Sequence, residues 1–177
     1  MGKILSEKFF EGDTKMVAQE LLGKFLVRKI GNKKFSAIIL ETEAYDGFDD
    51  KASHASIGKT KRNEVMFGHP GNFYIYLTYG IHFMLNIVTR EKDYPAAVLI
   101  RGVKLRGSDV LLNGPAKLTK FLKIDKGFNN KKPSMQNGLW FEDGGIKINS
   151  QKIRKTPRIG VDYAGPIWAS KKLRFIL

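Results

Sequence analysis

The chain of 177 residues contains no cysteine. Disulfides, thiolate nucleophiles, iron–sulfur clusters and cysteine-ligated zinc are therefore excluded, and a reducing compartment is expected. Histidine is scarce: His54, His69 and His82 are the whole set, and none stands four residues from another. A zinc site of the H-E-x-x-H type is excluded, and there is no Asp-rich calcium loop. No metal or organic cofactor is expected. No apolar run approaches the roughly 20 residues that span a bilayer. The opening stretch Met1–Ser6 lacks the apolar core of a signal peptide, so no membrane partner is expected. Acidic residues are few: 17 Asp and Glu face 31 Lys and Arg, for a net charge of +14.

A charge of that sign and size attracts polyanions, through an attraction that is independent of sequence and weakens steeply with salt. Nucleic acid is the expected partner. Hydrophobic residues make up 42% of the chain, too many for a disordered polycation, and the length suits one domain, residues 1–177, with a sizeable core.

Local patterns place the elements. Asp13 or Thr14 caps a predicted helix that runs to Leu22 and stops at Gly23. Phe25–Ile30 and Phe35–Glu43 read as strands joined by Gly31-Asn32-Lys33-Lys34. Lys51–Arg62 is a polar loop, followed by a helical turn over Asn63–Phe67. After the turn cluster at Gly68–Asn72, Phe73–Thr78 and Phe83–Ile87 alternate as a second hairpin with Tyr79-Gly80 at its tip. Ala96–Val103 reads as a central strand. Pro115 opens a helix whose predicted buried face is Leu118, Phe121 and Leu122. Trp140-Phe141, Ile146–Ile148, Arg158–Val161 and Leu173–Ile176 are short strand candidates. The pattern predicts one compact α+β domain: a curved, mostly antiparallel sheet, flanking helices and a protruding hairpin.

The densest chemistry lies in Leu40-Glu41-Thr42-Glu43-Ala44-Tyr45. In a regular strand, Glu41, Glu43 and Tyr45 share the face begun by Ala37 and Ile39, and the two carboxylates stand about 7 Å apart. That spacing accommodates a water and a sugar, as in inverting glycoside hydrolysis. Paired acids at strand ends also make plain surface ion pairs. Tyr45, His54 and Tyr76 can form a slot for a planar base, or simply pack. Tyr79 beside Gly80 can wedge into a duplex, or fold back on its own hairpin. Lys59, Lys61 and Arg62, then Lys152, Arg154, Lys155 and Arg158, then Lys171, Lys172 and Arg174, suggest a basic surface. The Pro115 helix adds free N–H groups suited to a phosphate.

An ordered series of motifs closely resembles the alkyladenine (3-methyladenine) DNA glycosylase family. It runs through Glu41-Thr42-Glu43-Ala44-Tyr45, His54, Arg62-Asn63, Met66-Phe67, Pro70-Gly71, Tyr74-Ile75-Tyr76, Tyr79-Gly80, Asn86-Ile87 and Leu99-Ile100-Arg101. It continues through Gly114–Leu118, Arg158–Val161, Ala164-Gly165 and Leu173–Phe175. The resemblance implies a monofunctional enzyme of base excision repair that flips a damaged purine from duplex DNA and hydrolyses its N-glycosidic bond. It implies that Glu43 activates the water and Arg101 helps hold it. It implies that Tyr45 stacks on one face of the base and His54 and Tyr76 on the other. Asn86 then disfavours guanine, and Tyr79 enters the minor groove. The role of Glu41 is not assigned. A monomer acting on double-stranded DNA is expected, cytoplasmic or nucleoid-associated, or nuclear in a eukaryote. Two other readings remain at this point: a binding module that kept the fold, which does not need Glu43 and Arg101 in one pocket, and a hydrolase of free nucleosides.

Overall fold

The strand that carries the acidic motif is the spine of the sheet. In the computed structural model, which describes residues 2–177, ten strands run at β1 (Lys3–Ile4), β2 (Phe25–Ile30), β3 (Lys33–Asp46), β4 (Phe73–Thr78), β5 (His82–Val88), β6 (Ala96–Leu105), β7 (Leu111–Asn113), β8 (Leu139–Asp143), β9 (Arg154–Thr156) and β10 (Arg174–Ile176). The α-helices are α1 (Glu7–Phe10), α2 (Thr14–Glu20), α3 (Pro115–Phe121) and α4 (Gly165–Ser170). The main sheet order is β1-β8-β2-β3-β6-β5-β4, with every pair antiparallel. This is an α+β domain of the expected kind.

At 14 residues, β3 is long enough to exchange partners along one edge. It pairs with β2 as far as Ile38, and β10 takes over at Glu41–Glu43, while β6 follows its other edge from Ala37 to Asp46. The ladder between β3 and β6 is broken twice: Leu40 is an extra residue on β3, and Arg101 is an extra residue on β6. A single inserted residue reverses the facing of everything after it. Ala37 and Ile39 point into the core before the break, and Ala44 points there after it, with Thr42 donating its hydroxyl to the Ala18 carbonyl of α2 at 2.7 Å. The same reversal occurs on β6, where Val98 and Ile100 give way to Val103. Glu41 and Glu43 therefore leave the face of Ala37 and Ile39, contrary to the regular-strand expectation. The carboxylates are directed away from the apolar core.

The core lies between the sheet and α2 and α3. Leu21, Leu26, Ile39, Leu85, Ile87, Ile100, Leu118 and Leu122 are fully buried in it, with Phe10, Phe73 and Phe141 closing one end. α2 begins where Asp13 accepts hydrogen bonds from the N–H groups of Lys15 and Met16, one of the two predicted caps. Gly23 ends it with φ of 80°. The first hairpin is tighter than expected: Ile30 pairs with Lys33, leaving only Gly31-Asn32 as the loop. The Lys51–Arg62 loop contains a 3-10 turn at His54–Ile57. Neither Ile146–Ile148 nor Arg158–Val161 forms a strand. Phe121 is exposed, with its ring edge to face against Phe35, because α3 rests on the sheet through Leu118 and Leu122.

Candidate active site

The double break brings two carboxylates and two arginines together. Arg101 Nε donates to Glu41 Oε1 at 3.0 Å, and its Nη1 to Glu43 Oε2 at 3.3 Å. Arg174, opposite Glu43 in the ladder, donates to Glu41 Oε1 at 2.6 Å. Glu41 is thus a bridge between two guanidinium groups, and a Cβ on the facing Gly102 would stand only 3.1 Å from its Cβ. Glu43 is fully buried. Its Oε2 also accepts the Tyr45 hydroxyl at 2.9 Å, and its Oε1 accepts the Ile159 N–H at 2.8 Å. An ionised carboxylate has about four acceptor sites, and the described residues fill three. Burial raises the Glu43 pKa above the ordinary carboxylate value, opposed by Arg101, by the Ile159 and Tyr45 hydrogen bonds and by Arg158.

In front of this cluster lies a cavity of about 340 Å³, within the range of small-molecule sites. Tyr45, His54, Tyr76, Asn86 and Arg101 all line it, as does Tyr79. Glu43 does not line it directly; it lies behind Tyr45, Arg101 and Ile159, which do. His54 meets Tyr76 edge to face with ring centroids 4.5 Å apart. Its Nδ1 is 2.9 Å from the Tyr74 hydroxyl. Burial, with Arg62 nearby, lowers the His54 pKa to about 4, so the imidazole is neutral at pH 7. Burial also pushes Tyr76 up to about 12 and Tyr45 well above the ordinary phenol value, so both remain neutral donors. Asn86 sits on the cavity wall with its amide nitrogen held by the carbonyls of Tyr74 and Met84 at 3.0 and 3.3 Å.

Tyr79 occupies the mouth. Its φ of 50° and the 71° of Gly80 make the β4–β5 turn, closed by Ile81 N–H on the Thr78 carbonyl, and the Tyr79 side chain is 90% exposed. It does not fold back on its hairpin. Tyr163, 69% exposed, stands at the same rim with its hydroxyl on the Ala52 carbonyl.

All seven residues singled out in the sequence converge on this one region. Others were hidden. Tyr74 lines the cavity and fixes His54, and its signal was its place two residues before Tyr76 on the same strand face. Asn63 holds the His54 turn by donating to the carbonyls of His54 and Gly58. Arg158 departs most from expectation: it is no part of a basic surface but a fully buried partner of Asp50. Arg174 likewise serves Glu41. Lys59, Lys61, Arg62, Lys152, Arg154, Lys155, Lys171 and Lys172 are exposed.

A buried, arginine-held carboxylate behind an aromatic-lined cavity, in a strongly cationic protein, fits the class of enzymes that act on nucleic acid. Comparison with known proteins gives that class a family. Residues 8–177 match the model of the methylpurine-DNA glycosylase family, and the chain belongs to it. Three relatives carry a provisional 3-methyladenine DNA glycosylase name. That of Methanocella arvoryzae is 43% identical over 92% of this chain and 86% of its own. That of Anaeromyxobacter dehalogenans is 41% identical over 98% and 83%, and that of Clostridium perfringens 39% over 90% and 89%. The protein is accordingly a DNA glycosylase, a hydrolase of N-glycosyl bonds that serves DNA repair.

Proposed function

We propose that the protein is a monofunctional glycosylase of damaged purines, alkylated or deaminated, that flips the target base out of duplex DNA and leaves an abasic site. The observation that carries this reading is the Glu43 carboxylate, buried behind the aromatic cavity and held by Arg101 with one acceptor site unfilled. Glu43 takes a proton from a water as that water attacks C1′ of the deoxyribose, and its charge faces the developing oxocarbenium ion. Arg101 holds the carboxylate and the water in place. Tyr45 stacks on one face of the flipped base, His54 and Tyr76 on the other. Because His54 is neutral, that wall does not repel a base made cationic by alkylation, and the tyrosine rings attract it. Asn86, its side chain fixed in place by two carbonyls, cannot move aside and crowds the exocyclic amine of guanine. Tyr79 enters the minor groove and fills the space the base vacates, which offsets the few kcal/mol that unstacking costs. No metal or organic cofactor enters this chemistry. The protein acts as a monomer in the cytoplasm or nucleoid, or in a eukaryotic nucleus.

The 3.3 Å contact between Arg101 and Glu43 is what a binding module without chemistry does not need, and Tyr79 at an exposed tip serves no purpose in a hydrolase of free nucleosides. The test is a panel of duplexes carrying 3-methyladenine, 7-methylguanine, hypoxanthine or an undamaged purine, scored for base release. Release of damaged purines alone is expected, with no protein–DNA adduct trapped by borohydride. Release from none of them would refute the reading.

A further inference from the structure

The Arg158–Asp50 ion pair lies outside the cavity, and both side chains are completely buried. The pair is bidentate: Nη1 meets Asp50 Oδ2 at 2.6 Å and Nη2 meets Oδ1 at 2.8 Å. Nη1 also donates to the Ala44 carbonyl at 2.9 Å, between Glu43 and Tyr45 on β3. The guanidinium carbon sits 4.7 Å from the centre of the Tyr45 ring. Since Arg158 does not line the cavity and Tyr45 does, the guanidinium backs that ring from behind. Asp50 in turn accepts from the N–H groups of Asp46 and Ala52, which fixes the loop leading to His54. The residue after Arg158 is Ile159, whose N–H holds Glu43 Oε1.

Three parts of the site therefore meet at one buried contact: the Tyr45 ring, the loop into His54, and the N–H that anchors Glu43. Two buried charges are an expensive way to join loops, since apolar residues of like volume often do so at no loss of stability. A planar fork with five fixed donors gives what apolar packing does not, namely directional control of several groups at once. We infer that Arg158 and Asp50 are positioning residues for the glycosylase reaction, setting Tyr45 and Glu43 relative to one another without touching substrate. The inference rests on the reading of Tyr45 and Glu43 given above.

Removing one partner would leave a lone buried charge and risk unfolding, so the informative variant replaces both: Asp50→Asn with Arg158→Gln, a neutral pair that still hydrogen-bonds. Arg158→Lys is the companion, keeping the charge and losing the fork. Melting temperature, equilibrium binding to damaged duplex and single-turnover base release are measured for each, below the melting point. A small displacement of reacting groups lowers release in the double variant about 10- to 100-fold. Binding stays within about 3-fold, because neither residue touches DNA and the surface cations that attract the phosphates are unchanged. Arg158→Lys falls between the double variant and wild type in release. Release by the double variant within that same range of wild type overturns the inference and leaves the glycosylase reading intact. Release and binding that fall in step with melting temperature also overturn it, since that marks a role in the fold alone. A wild-type protein that releases no base overturns the glycosylase reading itself, and this inference with it.

Discussion

The Tyr45 hydroxyl donates to Glu43 Oε2 at 2.9 Å, so the ring that lines the cavity and the carboxylate behind it are one hydrogen-bonded unit. The bond helps hold down a Glu43 pKa that burial raises. Tyr45→Phe keeps the ring and removes the bond, so the Glu43 pKa rises further. A base must be ionised to act, and activity falls as pH drops through that pKa. The acid limb of the pH–rate profile for base release is expected to move to higher pH in Tyr45→Phe. Base release is therefore expected to fall most at the acid end of the profile in Tyr45→Phe, and to recover toward the wild-type rate as pH rises.

His54 makes stability depend on pH. Its folded pKa of about 4 lies below the unfolded value near 6.5, because burial and Arg62 disfavour the imidazolium. Between these values the unfolded chain binds more protons, so stability is complete above about pH 6.5 and is lost as pH falls toward 4. Urea unfolding midpoints at pH 7 and pH 5 are expected to differ more for the wild type than for His54→Phe, which lacks this titration.

Tyr79 separates stability from activity. It is 90% exposed and adopts a left-handed φ of 50°, which an ordinary side chain adopts at a cost. Tyr79→Asn, a residue that tolerates this conformation, is expected to leave stability unchanged or raise it by up to about 1 kcal/mol. Stacking of one base on one aromatic ring is worth about 1–3 kcal/mol, so base release from duplex DNA is expected to fall about 10- to 100-fold. Thermal melts and single-turnover assays on the same preparation check both halves.

Much of this was legible in the chain. The two hairpins, the central strand read as Ala96–Val103 and observed as Ala96–Leu105, and the helix capped at Asp13 follow from apolar patterning and turn chemistry, which act locally. The break at Leu40 and Arg101 does not, because a bulge is set by how two distant strands pair and leaves apolar and polar residues in the same order along each. Glu41 read as half of a symmetric acid pair until the structure showed it bridging Arg101 and Arg174. Arg158 read as one cation in a cluster, because its partner Asp50 lies 108 residues away. Strands β7 and β9, of three residues each, carry too little pattern to define their own limits, whereas β10, Arg174–Ile176, lies within the strand read at Leu173–Ile176.

Gly102 tests the break itself. A Cβ there would press on the Glu41 side chain, 3.1 Å from its Cβ and 3.3 Å from Oε2. Overpacking of this kind costs about 1–3 kcal/mol, and Gly102→Ala is expected to lose that much in denaturant unfolding. Because Glu41 shares Arg101 with Glu43, base release is also expected to fall in Gly102→Ala at temperatures where the variant remains folded.

The central claim is that Glu43 performs the chemistry. Its raised pKa means that the wild type loses stability as pH rises through it, so the stability of Glu43→Gln relative to wild type is expected to increase over the same range. The decisive measurement is single-turnover release of hypoxanthine or 3-methyladenine from duplex DNA by Glu43→Gln, alongside equilibrium binding of the same duplex. A rate reduced by about a thousandfold or more, with binding retained, is the predicted result. Release at the wild-type rate would contradict the account.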